Sequence, residues 1–501
     1  MYSIQILLKT FVIRTKDYFD NSSIHGLRYI TENGRHITER IFWTITCIAA
    51  VYASYKLTLA SWYNFQNNAV SFVVETSYLD WNTSFPAITV CENEAPDKIF
   101  ESAERLYGED RNLNIDFYLR DITFFDGSCS SCSSHCGISV NCSEDFQKLV
   151  DEVRAPCDKF LDFCMWNGTP FDCCSYFLPI TTETGVCYSL NSLHTKGKKL
   201  DLDLTSNRAT GPGRVDFILY EAAKVYIHAR EDVPNINHPL EENAVLNWGT
   251  IFTMRFQVNE IENDPILKEV SVAQRNCRFP TENILKTYNH YSYSTCVVDC
   301  RAKAQVEFCN CTHHFMPKIP GVSSCTTTGL ICLTQHSEIL RALRTKDSDK
   351  KGLVCDCMPS CEEPEYTVIS KIRSTNTNYN EKNYGSKISL FMDALPTQRF
   401  KRNVVRTRLD LVVSIGGTTG LFLGASLLST AEFIYFMFLR KKIFIESIDE
   451  KSKSANDSRI FVNSRATRNK LDPSKFVAMQ RNRSKNNHVR FYPYISSENY
   501  Q

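Results

Sequence analysis

The sequence predicts an α+β membrane protein with two transmembrane helices that flank a large disulfide-rich extracellular domain. Three observations support this fold class: two long apolar segments, an uneven distribution of charge, and 21 cysteines in 501 residues. Apart from Cys47, every cysteine lies between Cys91 and Cys361. An even number of cysteines confined to one part of the chain is typical of disulfide pairing in an oxidising compartment.

The first apolar segment is predicted to span the membrane over residues 40–63. Residues 41–55 carry no charge, and a helix of about 20 apolar residues is long enough to cross a bilayer. Lys56 follows in the outer part of the segment, where its long side chain can reach the membrane surface. A buried helix of a soluble protein is the alternative interpretation.

The second apolar segment is predicted to span the membrane over residues 409–439. It contains 21 uncharged residues between Asp410 and Glu432 and ends at a basic run that begins with Arg440. The segment is longer than one straight crossing requires. It also contains four glycines, Gly416, Gly417, Gly420 and Gly424. This pattern predicts a tilted or broken helix.

The charge distribution predicts that both termini are cytoplasmic. Residues 1–40 have a net charge of +2 and residues 440–501 of +8, whereas residues 41–439 have a net charge of −9. Positively charged flanks of membrane spans remain on the cytoplasmic side. Residues 1–39 are therefore expected to be cytoplasmic and residues 64–408 extracellular. The basic tail, 440–501, is poor in apolar residues and is expected to be disordered.

Glycosylation signals agree with this orientation. Four N-glycosylation sequons fall in the predicted extracellular domain, at Asn82, Asn141, Asn167 and Asn310, where a luminal transferase would reach them. The N-terminus lacks the short apolar run and the small-residue cleavage site of a signal peptide, so the first span is expected to insert as an internal anchor.

The predicted extracellular domain contains two cysteine-dense stretches, with strand-like runs before and between them. The cysteine-dense stretches are residues 126–190 and 277–361. Runs rich in β-branched and aromatic residues predict strands, and they lie at residues 85–91, 215–220, 224–229 and 250–258.

Several function classes are disfavoured by the sequence. A formal net charge of +1 argues against a nucleic-acid-binding protein, which normally has a basic surplus. The chain contains no H-E-x-x-H, G-x-S-x-G or P-loop motif, so no catalytic residues are predicted and an enzyme is not expected. Zinc binding is the alternative to disulfide pairing for Cys129-x-x-Cys132 and Cys309-x-Cys311, but no metal or cofactor is expected in an oxidising compartment.

Four motifs in a fixed order carry a family resemblance. They are Ser23-Ile-His-Gly-Leu-Arg-Tyr29, Phe85-Pro-Ala-Ile-Thr-Val-Cys91, Gly185-Val-Cys-Tyr-Ser-Leu-Asn191 and Ser414-Ile-Gly-Gly-Thr-Thr-Gly-Leu-Phe-Leu-Gly-Ala-Ser426. Together they resemble the degenerin/epithelial sodium channel family over roughly residues 22–446. The stretches Cys164–Cys174 and Gln274–Pro280 resemble the insect pickpocket branch of that family.

The resemblance implies a trimeric, sodium-preferring, amiloride-sensitive cation channel in the plasma membrane. The permeant sodium ion would be its only inorganic partner. The trimer would be formed from identical chains or from related subunits in contact with membrane lipid, and the sequence does not identify an extracellular ligand. The family's extracellular domain is compared to a hand, with palm strands, a finger region and a helical thumb.

The resemblance also implies a set of disulfides. The implied pairs are Cys91–Cys187, Cys277–Cys361, Cys296–Cys357, Cys300–Cys355, Cys309–Cys332 and Cys311–Cys325. The last five pairs are nested, which is the spacing expected of an antiparallel helix hairpin. Eight cysteines remain without an assigned partner: Cys129, Cys132, Cys136, Cys142, Cys157, Cys164, Cys173 and Cys174.

The pore is predicted at Gly424-Ala425-Ser426. Small residues let three chains approach closely, and their carbonyl and hydroxyl oxygens replace the hydration shell of a cation. Close helix packing is the alternative explanation of the small residues. Glu432, an acid within the predicted span, is expected to face the cytoplasmic part of the ion pathway; an acid that snorkels to the membrane interface is the alternative. Asp410 is expected to concentrate cations at the outer mouth or to be a solvated surface charge.

Gating roles are implied for His25 and Gly26 before the first span and for Val413 and Ser414 in the second. A simple turn is the alternative for the His-Gly pair. The sequence departs from the acid-sensing branch of the family in one respect. That branch has a tryptophan shortly before the cysteine that matches Cys277, and it contacts the outer end of the first span, whereas this chain has Gln274 and the two residues after it there.

Two other kinds of two-span protein fit the topology. A non-conducting cell-surface receptor or accessory subunit would not require the glycine-rich second segment or the intramembrane Glu432. A trimeric ATP-gated channel would require clustered basic residues for phosphate on the extracellular domain, whereas the middle of this chain is net negative.

Overall fold

The computed structural model of the protein describes residues 15–76, 81–94, 96–136, 142–197, 202–375 and 385–440. The predicted glycosylation site at Asn141 and nearly all of the basic tail lie outside these residues. The chain divides into two compact units, one formed by residues 1–54 with 418–501 and the other by residues 55–417.

The helices are numbered in chain order. Helices α1 to α14 are Leu27–Thr31, Ile37–Asn67, Pro96–Tyr107, Asn114–Thr123, Ser130–Ser134, Phe146–Val153, Cys157–Phe160, Cys173–Tyr176, Val272–Arg275, Tyr293–Cys309, Thr327–Gln335, Ser337–Arg341, Arg408–Leu423 and Leu427–Ile434. Short 3₁₀ helices cover Leu240–Glu242 and Pro265–Glu269, and a π-helical turn covers Tyr435–Leu439.

The strands form two large antiparallel or mixed sheets and one small one. Strands β1 to β15 are Val70–Glu75, Thr83–Ser84, Ala87–Glu92, Leu161–Trp166, Thr169–Phe171, Leu178–Thr182, Gly185–Leu190, Thr205–Ser206, Arg214–Leu219, Ala223–His228, Asn243–Leu246, Thr250–Asn263, Glu365–Thr375, Ser386–Met392 and Arg399–Val404. One sheet has the order β1-β15-β12-β14-β9-β4-β5, with β13 paired to β12. The second has the order β11-β10-β3-β7-β6, and β2 pairs with β8.

The four strands predicted from the sequence are present as β3, β9, β10 and β12. Strand β3 is buried along its whole length, which explains why most of its residues are apolar, without the regular alternation of a half-exposed strand. The main hydrophobic core joins residues from both sheets, including Ile88 and Val90 from β3 and Val215 and Phe217 from β9. These side chains hold the two sheets together.

A second core is built by helices. It joins Tyr118 and Leu119 of α4 to Leu149 of α6 and to Leu330 and Leu333 of α11. Helix α6 begins at the side chain of its N-cap residue Asp145, which accepts a hydrogen bond from the Lys148 amide. Helices α4, α6 and α11 therefore share one apolar interior, separate from the core of the sheets.

Ten disulfides link the described cysteines. The six pairs implied by the resemblance are all found in the structure. The pairs that the sequence left open are Cys129–Cys132, Cys136–Cys142, Cys157–Cys174 and Cys164–Cys173. Both motifs for which zinc was the alternative have their sulfurs in disulfides.

The helix hairpin expected from the nested cysteines is only partly formed. Cys296 and Cys300 lie on one face of α10, but their partners Cys357 and Cys355 lie on an extended segment. Residues two apart point to the same side of an extended chain, and the nearby Pro359 disfavours a helix. A true helix-to-helix link is made by Cys309, at the end of α10, with Cys332 of α11.

One helix in the described part of the chain, α2, is long and apolar enough on its own to cross a membrane. A second candidate is obtained when Arg408–Leu423 and Leu427–Met437 are taken as one span, although the pair is bent by 70° at the break between them. Helix α2 extends beyond the predicted 40–63 at both ends. The break in the second segment agrees with its glycine pattern.

Candidate functional site

The break between α13 and α14 falls at Gly424-Ala425-Ser426. Gly424 has φ +64°, a left-handed conformation that glycine adopts without a steric penalty. Its amide donates to the carbonyl of Gly420 at 2.9 Å, and the Ala425 amide donates to that of Thr419 at 3.3 Å. Gly424 therefore ends α13 by turning the chain away from the helix axis.

Ser426 starts the next helix as its N-cap. The Ser429 amide donates to Ser426 Oγ at 3.3 Å, and the Ser426 amide donates to Ser429 Oγ at 3.2 Å. This reciprocal pair is a capping box, which satisfies amide groups at the start of a helix. The hydroxyl of Ser426 is thus held in place by the backbone of α14.

The backbone between the helices retains free acceptors. The carbonyl oxygens of Gly424 and Ala425 accept no hydrogen bond from any described residue. In a membrane, such groups are tolerated only where they line a water-filled cavity or contact protein. Two adjacent unpaired carbonyls beside a serine hydroxyl are the kind of ligands that coordinate a cation without adding charge.

The predicted gating motif lies directly against this break. The His25 amide donates to the carbonyl of Leu423 at 2.9 Å. A Cβ atom added to Gly424 would be 2.6 Å from atoms of the His25 imidazole, so the ring occupies the space that a side chain would need. The structure therefore brings together His25 and Gly424, which are far apart in sequence.

Gly26 has a structural requirement of its own. It precedes α1 with φ +87°, and an added Cβ would be 2.7 Å from Cys47 Sγ. The Cys47 thiol lies 3.8 Å from the His25 carbonyl, to which it donates. The His-Gly pair is therefore a turn that contacts both α2, through Cys47, and the helix break, through Leu423.

Glu432 contacts the same N-terminal segment. The Ser23 amide donates to Glu432 Oε2 at 3.2 Å, and the Ser23 and Ser429 hydroxyls are 2.8 Å apart. A carboxylate within an apolar segment needs such partners because an unpaired charge in apolar surroundings is costly. One oxygen of Glu432 is thus used to hold residues 23–26 below the break.

At the other end of α13, Asp410 caps the helix. Its Oδ2 accepts hydrogen bonds from the amide and hydroxyl of Thr407, both at 2.8 Å. Ser414 lies one turn further on, and its hydroxyl is 2.8 Å from that of Ser61 on α2. Val413 is 63% exposed. The predicted gating pair thus comprises one polar contact to α2 and one exposed apolar side chain.

Gln274 replaces an aromatic contact with a hydrogen bond. Its Nε2 donates to the carbonyl of Phe65, in the last turn of α2, at 3.0 Å. Its Oε1 accepts from the hydroxyl of Ser271 at 2.8 Å, which fixes the amide. The segment around Gln274 therefore contacts the end of α2 through a polar group, a contact that sequence analysis did not predict.

Two buried arginines lie beside the Cys277–Cys361 disulfide. Arg275 donates to the carbonyls of Cys277 and Val270, each at 3.0 Å, and forms an ion pair with Glu282. Arg402 of β15 lies 2.8 Å from Cys277 Sγ. Strand β15 leads into α13 and pairs with β1, which follows α2. The strands that adjoin both apolar helices are therefore paired to each other.

Three of the predicted glycosylation sites are exposed. Asn82, Asn167 and Asn310 all have accessible side chains. Asn167 and Asn310 have positive φ values of 48° and 55°, a conformation in which asparagine is enriched at turns and helix ends. Surface turns of this kind are open to a glycosyltransferase.

Buried histidines make the stability of the unit formed by residues 55–417 depend on pH. Burial lowers the pKa of His228 to about 4. Its ring nitrogens lie 2.6 Å from Thr89 Oγ1 and 2.7 Å from the Ala229 carbonyl. Burial also lowers the pKa of His238 and of His314 to about 4. These side chains are neutral in the folded protein near pH 6, where an unfolded chain would bind protons.

These histidines are therefore expected to destabilise the protein on acidification from pH 7 to pH 5, whereas Glu242 and Glu363, whose pKa values burial raises to about 7 and about 8, contribute in the opposite direction. A histidine that binds a proton only when unfolded removes about 1.4 kcal/mol of stability per pH unit below its ordinary pKa of about 6.5. The change in thermal unfolding temperature of the purified protein over this range should be less destabilising in His228→Gln than in the wild type. An unchanged slope in His228→Gln would contradict the assignment.

The fold and the helix break together define the class of protein. A mixed α/β, disulfide-rich domain is combined with apolar helices and a break at small residues with free carbonyl groups, as in a membrane channel. The family model described as "Amiloride-sensitive sodium channel" matches residues 18–436. The chain belongs to this family, also known as the degenerin/epithelial sodium channel family, which confirms the resemblance seen in the sequence motifs.

Curated relatives of the chain include insect proteins and a mammalian acid-sensing channel. "Sodium channel protein Nach" of Drosophila ananassae is 25% identical, over 86% of this chain and 88% of that protein. "Pickpocket protein 28" of Drosophila melanogaster is 23% identical, over 87% of this chain and 80% of that protein. "Acid-sensing ion channel 2" of Rattus norvegicus is 23% identical, over 88% of this chain and 90% of that protein.

Proposed function

We propose that the chain is a pore-forming subunit of a trimeric, sodium-selective, amiloride-blocked cation channel. The observation that carries the proposal is the helix break at 424–426, with two unpaired carbonyls and one anchored hydroxyl. In a trimer these oxygens would form a narrow ring around the ion path. Membership of the amiloride-sensitive sodium channel family supports sodium as the permeant ion and amiloride as the blocker.

The proposed topology has two spans and cytoplasmic termini, with the protein in the plasma membrane. Helix α2 supplies the first span, and the bent pair α13 and α14 supplies the second. The segment 64–408 is then the extracellular domain. Its ten disulfides support this location, because such bonds persist in oxidising compartments.

The remaining pore residues take separate roles in this proposal. Asp410 and Glu432 contribute negative charge near the two ends of the second span, with Glu432 also holding the N-terminal segment through Ser23. Val413 and Ser414 move with the outer half of α13 during gating. His25 and Gly26 support the break from the cytoplasmic side, so that displacement of this turn changes the width of the ring.

Voltage-clamp recording distinguishes a channel subunit from a non-conducting receptor. Oocytes that express the chain alone or with related subunits should carry an amiloride-sensitive inward sodium current. A current that appears only on co-expression and is altered by changes at Ser426 would indicate a heteromeric pore. Abundant surface protein without such a current, alone or with related subunits, would favour the receptor or accessory role.

The proposed topology predicts which sequons carry glycan. Glycosidase treatment should reduce the apparent mass of the surface protein. Substitution of glutamine for all four extracellular sequon asparagines, Asn82, Asn141, Asn167 and Asn310, should abolish that shift. Asn456 and Asn482 begin sequons in the basic tail and serve as internal controls, because glycan on either would place the tail outside the cell.

Gly26→Ser is expected to lower the current without lowering the amount of protein at the surface. The new side chain would collide with Cys47 Sγ, 2.7 Å from the Cβ position, and displace the turn that holds His25 against the break. Gly34→Ser is a matched control, since Gly34 also has a positive φ, +93°, but has open space around its Cβ position. Equal currents from the two variants at matched surface density would leave the pair as an ordinary turn.

A further inference from the structure

A cavity of about 260 Å³ lies in the extracellular unit, beside strands β6 and β7 and helix α8. By volume it would hold roughly eight or nine water molecules. Its walls include Tyr176, Leu178, Asn191, Ser192, Leu204 and Arg230. No part of this cavity belongs to the helix break, so the ion pathway does not explain it.

Arg230 is the one charged residue among those that line the cavity in the described part of the chain. Its Nε donates to the carbonyl of Asn191 at 3.3 Å. No described carboxylate forms an ion pair with Arg230, and its terminal nitrogens donate no hydrogen bond to a described residue. Glu231 acts electrostatically on Arg230 without forming an ion pair with it. An arginine in such a recess is usually paired with an anion, and the described contacts leave its two terminal nitrogens open to an anionic partner.

The lining combines further polar groups with an apolar surface. Ser192 is 1% exposed and is fixed by a hydrogen bond from the His194 amide to its Oγ. Thr195 lies beside it, with its hydroxyl 3.4 Å from the Ser192 carbonyl. Leucines from four positions provide the apolar part: Leu178, Leu190, Leu202 and Leu204. A ligand would need a negative group at one end and a short apolar chain at the other.

The walls are held in place before any ligand binds. The side chain of Asn191, which has φ +65°, donates to the carbonyl of Phe85 at 2.6 Å. Helix α8 is tied down by the disulfides Cys164–Cys173 and Cys157–Cys174. A recess with rigid walls loses little conformational entropy on binding.

We propose that this cavity binds a small carboxylate with a short apolar chain. The planar guanidinium of Arg230 matches a carboxylate in geometry and can donate two parallel hydrogen bonds to it. The leucines would contact the hydrocarbon part of the ligand. The proposal concerns binding alone and does not depend on whether the chain conducts.

The test uses hexanoate, whose eight non-hydrogen atoms match the volume of the cavity, and its neutral isostere hexanamide. Saturation-transfer NMR on the purified full chain in lipid nanodiscs should show transfer to hexanoate well above that of empty nanodiscs. Hexanamide should show no such excess, because it lacks the charge that Arg230 recognises. A cavity that holds water only would give equal, background-level transfer for both probes.

Variants assign the signal to the site. Arg230→Gln should weaken hexanoate binding roughly tenfold or more, as expected for the loss of hydrogen bonds to a charged group. Arg230→Lys, which retains the charge without the planar fork, should weaken it less. Arg208→Gln removes an exposed arginine elsewhere in the unit and should bind as wild type does. Unchanged binding in well-folded Arg230→Gln or Arg230→Lys, or equal binding of the two probes, would overturn the proposal.

Discussion

Serine at both Cys277 and Cys361 is expected to reduce the protein at the cell surface to a small fraction of the wild-type amount. Both cysteines are buried, 1% and 0% exposed, and their bond joins positions 84 residues apart. Loss of a native disulfide from an extracellular domain typically costs about 2–5 kcal/mol, which is a large part of the stability of most domains. Surface biotinylation and the fraction of mature glycan measure the effect.

The disulfides nested between Cys277 and Cys361 supply a matched control. Removal of the Cys300–Cys355 bond leaves the Cys296–Cys357 bond intact. Because Cys296 lies four residues from Cys300 on α10, and Cys357 two residues from Cys355, the remaining bond still constrains almost the same part of the chain. Serine at Cys300 and Cys355 should therefore reduce surface delivery less than serine at Cys277 and Cys361. An equal or larger loss of surface protein from the Cys300 and Cys355 variant would show that the Cys277–Cys361 bond is not the more important of the two for the fold.

Gly424→Ala is expected to remove most of the current from channels that reach the surface. Alanine at φ +64° is strained, and its Cβ would be 2.6 Å from the His25 ring. Strain of this kind costs about 1–3 kcal/mol, so the native form of the break should become roughly tenfold less populated. The current per surface channel, measured by voltage clamp with an extracellular epitope count, reports the change.

Gly417→Ala controls for the chemical change alone. Gly417 lies within α13 and has open space at its Cβ position, and alanine favours a helix more than glycine does. Its current should therefore remain close to that of the wild type. If both variants lost current equally, helix packing of small residues would explain the glycine pattern better than a structured break.

Much of the secondary structure of residues 55–417 could be predicted from local sequence. Runs of β-branched and aromatic residues, which favour buried strands, predict strands β3, β9, β10 and β12. The break in the second apolar segment follows from its glycines, although only the structure places the left-handed residue at Gly424. The six predicted disulfides depended on the family resemblance, since spacing alone allows many pairings.

The contacts between distant parts of the chain could not be predicted. The bonds from His25 to Leu423 and from Ser23 to Glu432 join residues about 400 positions apart, and nothing in either local sequence specifies the other. The contact of Gln274 with Phe65 is similar, because a backbone carbonyl has no residue-specific signal. Such contacts result from the packing of elements, which a single sequence does not reveal.

The reversal potential of Ser426→Cys in mixed sodium and potassium solutions tests the central claim most directly. Sulfur is softer than oxygen and suits sodium poorly, while the cysteine side chain is close to serine in size. If the break forms the narrowest point of the pore, sodium-over-potassium selectivity should fall by about 1 kcal/mol, roughly fivefold, and the reversal potential should shift accordingly. A conducting Ser426→Cys channel with the reversal potential of the wild type would contradict the assignment of the selectivity filter to residues 424–426.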